Sequence, residues 1–396
     1  MKLVKPAIVL GTHTMGLGVI RALGSMGIPI IAIYYDSKDM GYVSRYVKES
    51  VRAPDPEKFA DQFLELVILT ASRFDSSLVF PVSDETMELV SRKKNVLDEY
   101  CTTACTEWKI THQFINKKYT YALADAIGVP APITIVPKSL EDVEKYGQTI
   151  EYPCLVKPTL SHYYYKKFNK KMVRVNNIDQ MIGAYRQASD VGLEVMLQEI
   201  IPGDDALGVN YNSYFWKNQP LVEFTAQQVR NAPPIFGSPC VAVSKNIPEV
   251  IEPGRKILRA MGFYGYSCTE FKKDPRDGVY KLMEVNGRHN LSTLLAVECG
   301  INFPWIHYTH LVEGELPSVN DFRENVFWID IIRDIAYGGS YMKSKGSLFQ
   351  FVHPYLGSHV FAIIDFKDLK PFIQRCFYLV KRALNNAFNV FGNIGL

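Results

Sequence analysis

Residues 268–288, CTEFKKDPRDGVYKLMEVNGR, constrain the fold of this chain more than any other stretch. Two runs of alternating apolar and polar residues flank Pro275-Arg276-Asp277-Gly278, a turn-forming sequence, so the segment reads as a β-hairpin. With residues 275–279 as the loop, Glu270 falls opposite Glu284. Period-two alternation then puts Cys268, Glu270, Leu282, Glu284 and Asn286 on one face. Facing carboxylates repel, so the register holds only if one protonates or a cation lies between them. A hard divalent ion meets that need, and Mg²⁺ favours one or two carboxylates together with phosphate oxygens. Arg288, two residues beyond Asn286, is expected on the same face, where a guanidinium suits phosphate oxygens. A solvated edge with two unrelated glutamates is the alternative.

Three further segments carry polar chemistry on apolar frames. Lys157 ends the apolar run in YPCLVKP, and a lysine there is costly to bury without an anion. A polar stretch follows, SHYYYKKFNKK, expected to be a loop able to fold over a phosphate chain; a lysine simply emerging from a strand end is the plainer reading. In VMLQEIIPGDD, an apolar strand runs into Gln198, Glu199 and Ile201, whose backbone can meet an adenine edge. Asp204 and Asp205 beyond it are within reach of ribose hydroxyls, or form a common acidic turn. Lys117 lies in a helix expected across 111–130 that ends in Gly128, with Pro130 after it. A lysine is unfavourable near a helix N-terminus, which hints at a role outside the helix.

The N-terminal region has another rhythm. AIVL at 7–10, the turn GTHTMGLG, a helical pattern and the apolar run IPIIAIYYD form a strand–helix–strand unit with a parallel pairing. A helix over about 57–73, the run SLVFPVSDE at 77–85 and a helix at 85–95 continue it, giving an α/β domain over roughly 1–110. Gly11, Gly16 and Gly18 do not have dinucleotide-site spacing. Residues 131–330 mix strands and helices in α+β fashion, with helices at 177–191 and 248–261, and 321–396 form an aromatic, patchily basic C-terminal region. A chain of 396 residues needs two or three cores.

The ordered set Lys117, Lys157, QEIIPGDD, Glu270 and Glu284-Val285-Asn286-Gly287-Arg288 resembles the ATP-grasp superfamily, and within it the carboxylate–amine ligases that include D-aspartate ligase. The resemblance covers roughly residues 5–320. It implies an N-terminal parallel-sheet pre-ATP-grasp domain (1–110) and an ATP-grasp domain (111–320). The latter has a small subdomain at about 125–200 and a large one at about 201–320. It also implies ATP with Mg²⁺ or Mn²⁺. Lys117 and Lys157 would contact phosphates, Glu199 and Ile201 would hold adenine, and Glu270, Glu284 and Asn286 would bind metal. Arg288 would meet the transferred phosphoryl group. The implied activity joins a carboxylate to an amine through an acyl phosphate, releasing ADP and phosphate. An ATP-grasp carboxylase, a ligase using another nucleophile, and a catalytically silent nucleotide-binding protein on a membrane are the alternatives. Two positions depart from the family pattern. Gly287 stands where a proline is usual, which should loosen the turn, and the phosphate-loop segment contains no glycine.

Several residues have two readings. Thr12 and His13 would line the substrate cleft or simply make a tight turn. Asp84 and Glu85 would hold a substrate ammonium, or Ser83 or Asp84 would cap a helix. Arg230 would grip a substrate carboxylate or be a solvated strand end. His162 would shuttle a proton or be incidental. In the C-terminal helix, Phe372, Cys376, Leu379, Ala383 and Ala387 form one stripe, with Ile373, Phe377, Val380, Leu384 and Phe388 beside it. No acid follows Asp368. Such a helix can lie on an anionic membrane, dock on the enzyme body or pair in a homodimer. Charged residues at 21% and a net charge of +3 give no case for nucleic acid. Seven scattered cysteines, no apparent signal peptide and no membrane-spanning run fit a cytoplasmic enzyme with reduced thiols.

Overall fold

A computed structural model describes residues 5–74, 76–317, 321–345 and 347–392, and the side chains within these except those of 344–345 and 386–392. The sequence suggests three successive segments, but contacts divide the chain into two units. The first comprises Met1–Cys105, Arg230–Ser244 and Arg288–Leu396; the second comprises Thr106–Val229 and Lys245–Gly287. The C-terminal region thus belongs to the N-terminal unit instead of standing alone. Tyr308 donates a hydrogen bond to the Lys5 carbonyl at 2.6 Å, and buried Asp368 accepts one from Arg21 at 3.0 Å.

In the first unit, β1 (Ala7–Leu10), β2 (Ile30–Tyr34), β3 (Val47–Arg52), β4 (Leu78–Pro81) and β5 (Thr102–Thr103) form a parallel sheet of order β3-β2-β1-β4-β5. The continuous apolar runs of β1 and β4 are buried throughout, as strands covered on both faces require. Gly11 closes the first turn with φ of +100°, a conformation that strains any residue with a Cβ. The helix expected at 57–73 is Ala60–Ala71, and that at 85–95 is Asp84–Arg92.

In the second unit, β6 (Thr134–Ile135), β7 (Cys154–Pro158), β8 (Val173–Val175) and β9 (Val195–Glu199) pair antiparallel in the order β6-β9-β7-β8. Helices Leu140–Gly147 and Ile178–Ser189 cover this sheet over a core that includes Val143, Val156, Met181 and Leu197. β10 (Gly208–Trp216) and β11 (Gln219–Ala232) begin a second antiparallel set. After β12 (Ser238–Ser244), which belongs to the first unit, β13 (Gly265–Lys273) and β14 (Tyr280–Asn286) complete it in the order β14-β13-β10-β11. In the first unit β12 pairs antiparallel with β15 (Phe327–Ile329), which pairs parallel with β16 (His359–Phe361). The helix expected across 111–130 is two helices, Trp108–Ile115 and Lys117–Ala126. Asn116 breaks it, its side chain capping the second by accepting from the Lys118 N–H.

Candidate active site

The hairpin pairs Glu270 with Glu284 and Cys268 with Asn286, but by a different route from simple loop counting. Lys273 pairs with Tyr280, so the loop is 274–279, one residue longer than expected, and an irregularity between Glu270 and Phe271 restores the register. The same shift pairs Leu282 with Phe271, which removes Leu282 from the glutamate row and corrects its expected facing. Both apolar side chains are buried, whereas the two glutamates are partly exposed. The loop itself is fixed by Asp274, which accepts from the Arg276 backbone and guanidinium, and by Gly278 at φ of +73°.

The row continues onto β10, where Asn210 pairs with Glu270 and Asn212 with Cys268. Asn286 Nδ2 donates to Glu270 Oε1 at 3.3 Å. Asn210 is buried, and its Oδ1 accepts no hydrogen bond among the described residues. Sequence reasoning missed Asn210; the asparagines 210 and 212, alternating with Val209 and Tyr211 in GVNYNSYFW, were the available signal. Two carboxylates with amide oxygens beside them are a hard-oxygen set that fits Mg²⁺. Among the described residues no group of three His, Cys, Asp or Glu could hold a metal ion.

Two lysines approach the same hairpin. Lys117, buried at the start of its helix, forms an ion pair with Glu284 Oε1. Lys157, at the end of β7, donates to the Tyr121 hydroxyl at 2.9 Å and to Gln198 Oε1 at 3.4 Å, and Tyr121 donates to the Met283 carbonyl at 2.6 Å. Tyr121 is a second residue missed from sequence; it lies one helical turn after Lys117 on the same helix. β7 and β9 pair Lys157 with Met196 and Leu155 with Gln198, so Lys157 and Gln198 share a face. Lys117, Tyr121, Lys157, Gln198, Glu270, Glu284 and Asn286 therefore lie in one connected group within the second unit.

Farther along, the Glu199 carboxylate accepts from the Ile133 N–H at 2.9 Å and from Arg276 at 2.9 Å, which fixes the end of β9. Lys272 donates to the carbonyls of Ile201 at 2.9 Å and Gly203 at 3.1 Å. Burial lowers the Lys272 pKa, and the charges of Asp205 and Asp204 oppose that shift. Asp204 also caps a short turn, accepting from the Ala206 N–H at 3.0 Å. The segment expected as a phosphate loop is instead a helix, Ser161–Phe168, ended by Asn169 in the left-handed region. Its cause is packing: Tyr164 is buried against the β7–β8 core and packs on Phe168 four residues on, with ring centroids 4.7 Å apart and the rings tilted by 52°. The His162 ring lies 4.2 Å from that of Tyr163.

Gly287 lies close against a neighbouring side chain. A Cβ there would run into the ring of buried Phe114, so the position needs a residue without a side chain.

The remaining expected residues belong to the first unit. β14 ends at Asn286, so strand alternation does not extend to Arg288, whose Nε donates to Asp84 Oδ1 at 2.6 Å. Ser83 caps the helix in a capping box with Thr86, as the structural reading of this turn expected. Tyr35 bridges Ser83 Oγ and Glu85 Oε1, each at 3.1 Å. Asp39 accepts from the backbone of Thr12 at 3.1 Å and of Tyr35 at 3.1 Å. Burial lowers the His13 pKa against the opposing charges of Asp39 and Glu85, and burial raises that of Asp39. His13, Asp39, Glu85 and Arg288 thus share one electrostatic neighbourhood at the carboxyl ends of the parallel strands.

Arg230 does not reach outward for a substrate carboxylate. It is buried and held by Asp334 through two hydrogen bonds of 2.7 Å, between the rings of Tyr341 and Phe351. Tyr355 donates to the same carboxylate at 2.6 Å.

No family model matches the chain. The D-aspartate ligase of Enterococcus faecium is 25% identical over 243 residues, 57% of this chain and 56% of that protein. This chain therefore spans about half the length of that curated relative. The L-amino acid ligase from Bacillus licheniformis superposes with a TM-score of 0.62 at 16% identity, covering 80% of this chain and 78% of that one. The N5-carboxyaminoimidazole synthetase from Staphylococcus aureus, complexed with ADP, gives 0.61 at 15% identity, covering 82% and 81%. The architecture is the ATP-grasp fold that the order of motifs implies.

Proposed function

We propose that this chain is an ATP- and Mg²⁺-dependent ligase that activates a carboxylate as an acyl phosphate for attack by an amine. The observation that carries the reading is the connected group in the second unit. Two buried lysines, a cross-strand carboxylate pair and carboxamides, drawn from a helix and two antiparallel sheets, form one cluster in which cationic and anionic groups both lie ready for a charged ligand. A nucleoside triphosphate with its metal supplies both. The E. faecium relative is named a D-aspartate ligase and the S. aureus neighbour holds ADP, which favours an amino acid as one reactant and ADP as a product.

In this mechanism Lys117 and Lys157 hold the phosphates. The backbone near Glu199 and Ile201 takes the adenine edge, with Asp204 and Asp205 toward the ribose. Glu270, Glu284 and Asn286, with Asn210 beside them, hold Mg²⁺, which when bound neutralises charge on the phosphate oxygens. A substrate carboxylate oxygen attacks the terminal phosphorus as the bond to ADP breaks. Lys157 offsets the developing negative charge. The amine nitrogen then attacks the acyl carbon, phosphate leaves, and the nitrogen loses a proton. In the first unit, Glu85 suits a cationic ammonium.

The test is product analysis by phosphorus NMR over a panel of amino acids and amines. ADP and phosphate formed only in the presence of a matching pair support the proposal. AMP and pyrophosphate as main products overturn it.

A further inference from the structure

The helix Lys370–Gly392 is anchored at its base and exposed along one stripe. Just before it, buried Asp368 accepts from Arg21 Nε at 3.0 Å, Ser44 Oγ at 2.7 Å and the Arg45 N–H at 2.8 Å. Within its first turns Gln374 donates to the Tyr42 hydroxyl at 2.9 Å, while Pro371 is buried and Phe372, Cys376 and Leu379 are partly covered. The first part of one of the two apolar stripes read from the sequence is thus covered, while Ala383 farther along it is exposed. Of the other, Ile373 is 52% exposed, Phe377 71%, Val380 58% and Leu384 54%. Their spacing of four, three and four residues makes one continuous line on a helix. Ala387 and Phe388, which would extend the two stripes, lie outside the described side chains.

We propose that this stripe docks on an anionic lipid surface, with the helix lying in the plane of the interface. Charge selects the occupant. From Leu369 onward the sequence contains Lys370, Arg375, Lys381 and Arg382 and no acid. At 100° per residue, Lys370 and Lys381 fall on one flank of the apolar line, where long stems can cover apolar surface while the ammonium groups reach headgroups. Pairing this stripe with a second copy would bring those cations together. The nearest preceding acid, Asp368, is already consumed by Arg21 and Ser44. Anionic headgroups supply the missing countercharge, and each cation near such a surface strengthens binding. No helix among the described residues is long and apolar enough to cross a membrane, so the helix lies on the surface and does not span it. The inference does not depend on the proposed ligase activity.

The experiment is co-sedimentation of the full chain with phosphatidylcholine vesicles that contain or lack phosphatidylserine. Binding to the anionic vesicles alone is expected, weakened at least tenfold by raising salt from 0.05 to 0.5 M. Phe377→Ser/Val380→Ser and Lys370→Glu/Lys381→Glu should each lower it at least tenfold. Both pairs lie on exposed positions, so the unfolding temperature should stay at the parent value; this separates lost docking from lost fold. Failure to bind anionic vesicles overturns the proposal, as does binding that both double variants leave intact. A concentration-dependent dimer in light scattering that Phe377→Ser/Val380→Ser abolishes would assign the stripe to a second copy instead.

Discussion

Glu270 and Glu284 stand opposite one another on β13 and β14, and the ammonium of Lys117 sits on Glu284. The lysine supplies the cation that this carboxylate pair needs when no nucleotide or metal is present. Lys117→Met should therefore act twice. Without ligand it should lower the unfolding temperature, and with ATP and Mg²⁺ it should weaken affinity at least tenfold, or about 1.4 kcal/mol. Calorimetry and thermal unfolding together check this. Unchanged ATP affinity would remove Lys117 from the nucleotide site.

Replacing either glutamate separates charge from shape. Glu270→Gln and Glu284→Gln should each abolish Mg²⁺-dependent ATP turnover. Glu270→Gln should leave stability without ligand unchanged or raise it by up to about 1 kcal/mol, since like charges across a strand pair are destabilising. Activity that survives both substitutions would reject the metal assignment.

Lys157 is not a loosely held strand-end lysine. Because it is buried and donates to Tyr121 and Gln198, Lys157→Ala should cost about 1–3 kcal/mol of stability as well as ATP affinity. Lys157→Met retains most of the stem and should recover part of the stability but none of the affinity. Urea unfolding read beside calorimetry distinguishes the two effects.

The buried pair of Arg230 and Asp334 should be costly to break from one side. Asp334→Asn leaves a buried guanidinium without its countercharge and should cost about 3–5 kcal/mol. The double variant Arg230→Met/Asp334→Leu should cost less than Asp334→Asn alone. Equal losses in both, measured by chemical denaturation, would show that packing and not charge sets the cost.

Histidines buried in the first unit contribute to the acid limb of stability. Burial lowers the pKa of His307 to about 3 and that of His289 well below its usual value. Their unfolded forms take up protons first as pH falls below about 6.5. Their contribution to stability is therefore complete above that pH and is lost toward pH 3, with a slope of up to about 1.4 kcal/mol per pH unit for each histidine. His307→Phe should flatten the slope between pH 6 and 4. An unaltered slope would mean that His307 does not contribute to the acid limb.

Gly287 ties a departure from the family motif to packing. Gly287→Pro restores the usual residue, yet its Cβ meets Phe114. It should destabilise by about 1–3 kcal/mol, and Phe114→Ala should relieve much of that clash in the double variant. Additive losses would place the cost in the backbone and not in this contact.

What the sequence alone determined rests on local rules. The alternating pattern around PRDG dictated the hairpin, the GTHTMGLG turn between apolar runs dictated parallel strands, and the order of charged residues pointed to the ATP-grasp fold. These signals survive because strand period, turn chemistry and helix stops act over a few residues. Tertiary structure decided the rest. A single-residue irregularity restored the Glu270–Glu284 register after a longer loop. Burial of Tyr164 turned an apparent polar loop into a helix, and Asp334, more than 100 positions away, claimed Arg230. Asp368 tied the C-terminal region to Arg21 across 347 positions. Such partners are chosen by burial, where an unpaired charge is most costly, and no local pattern records which distant residue will be there to meet it.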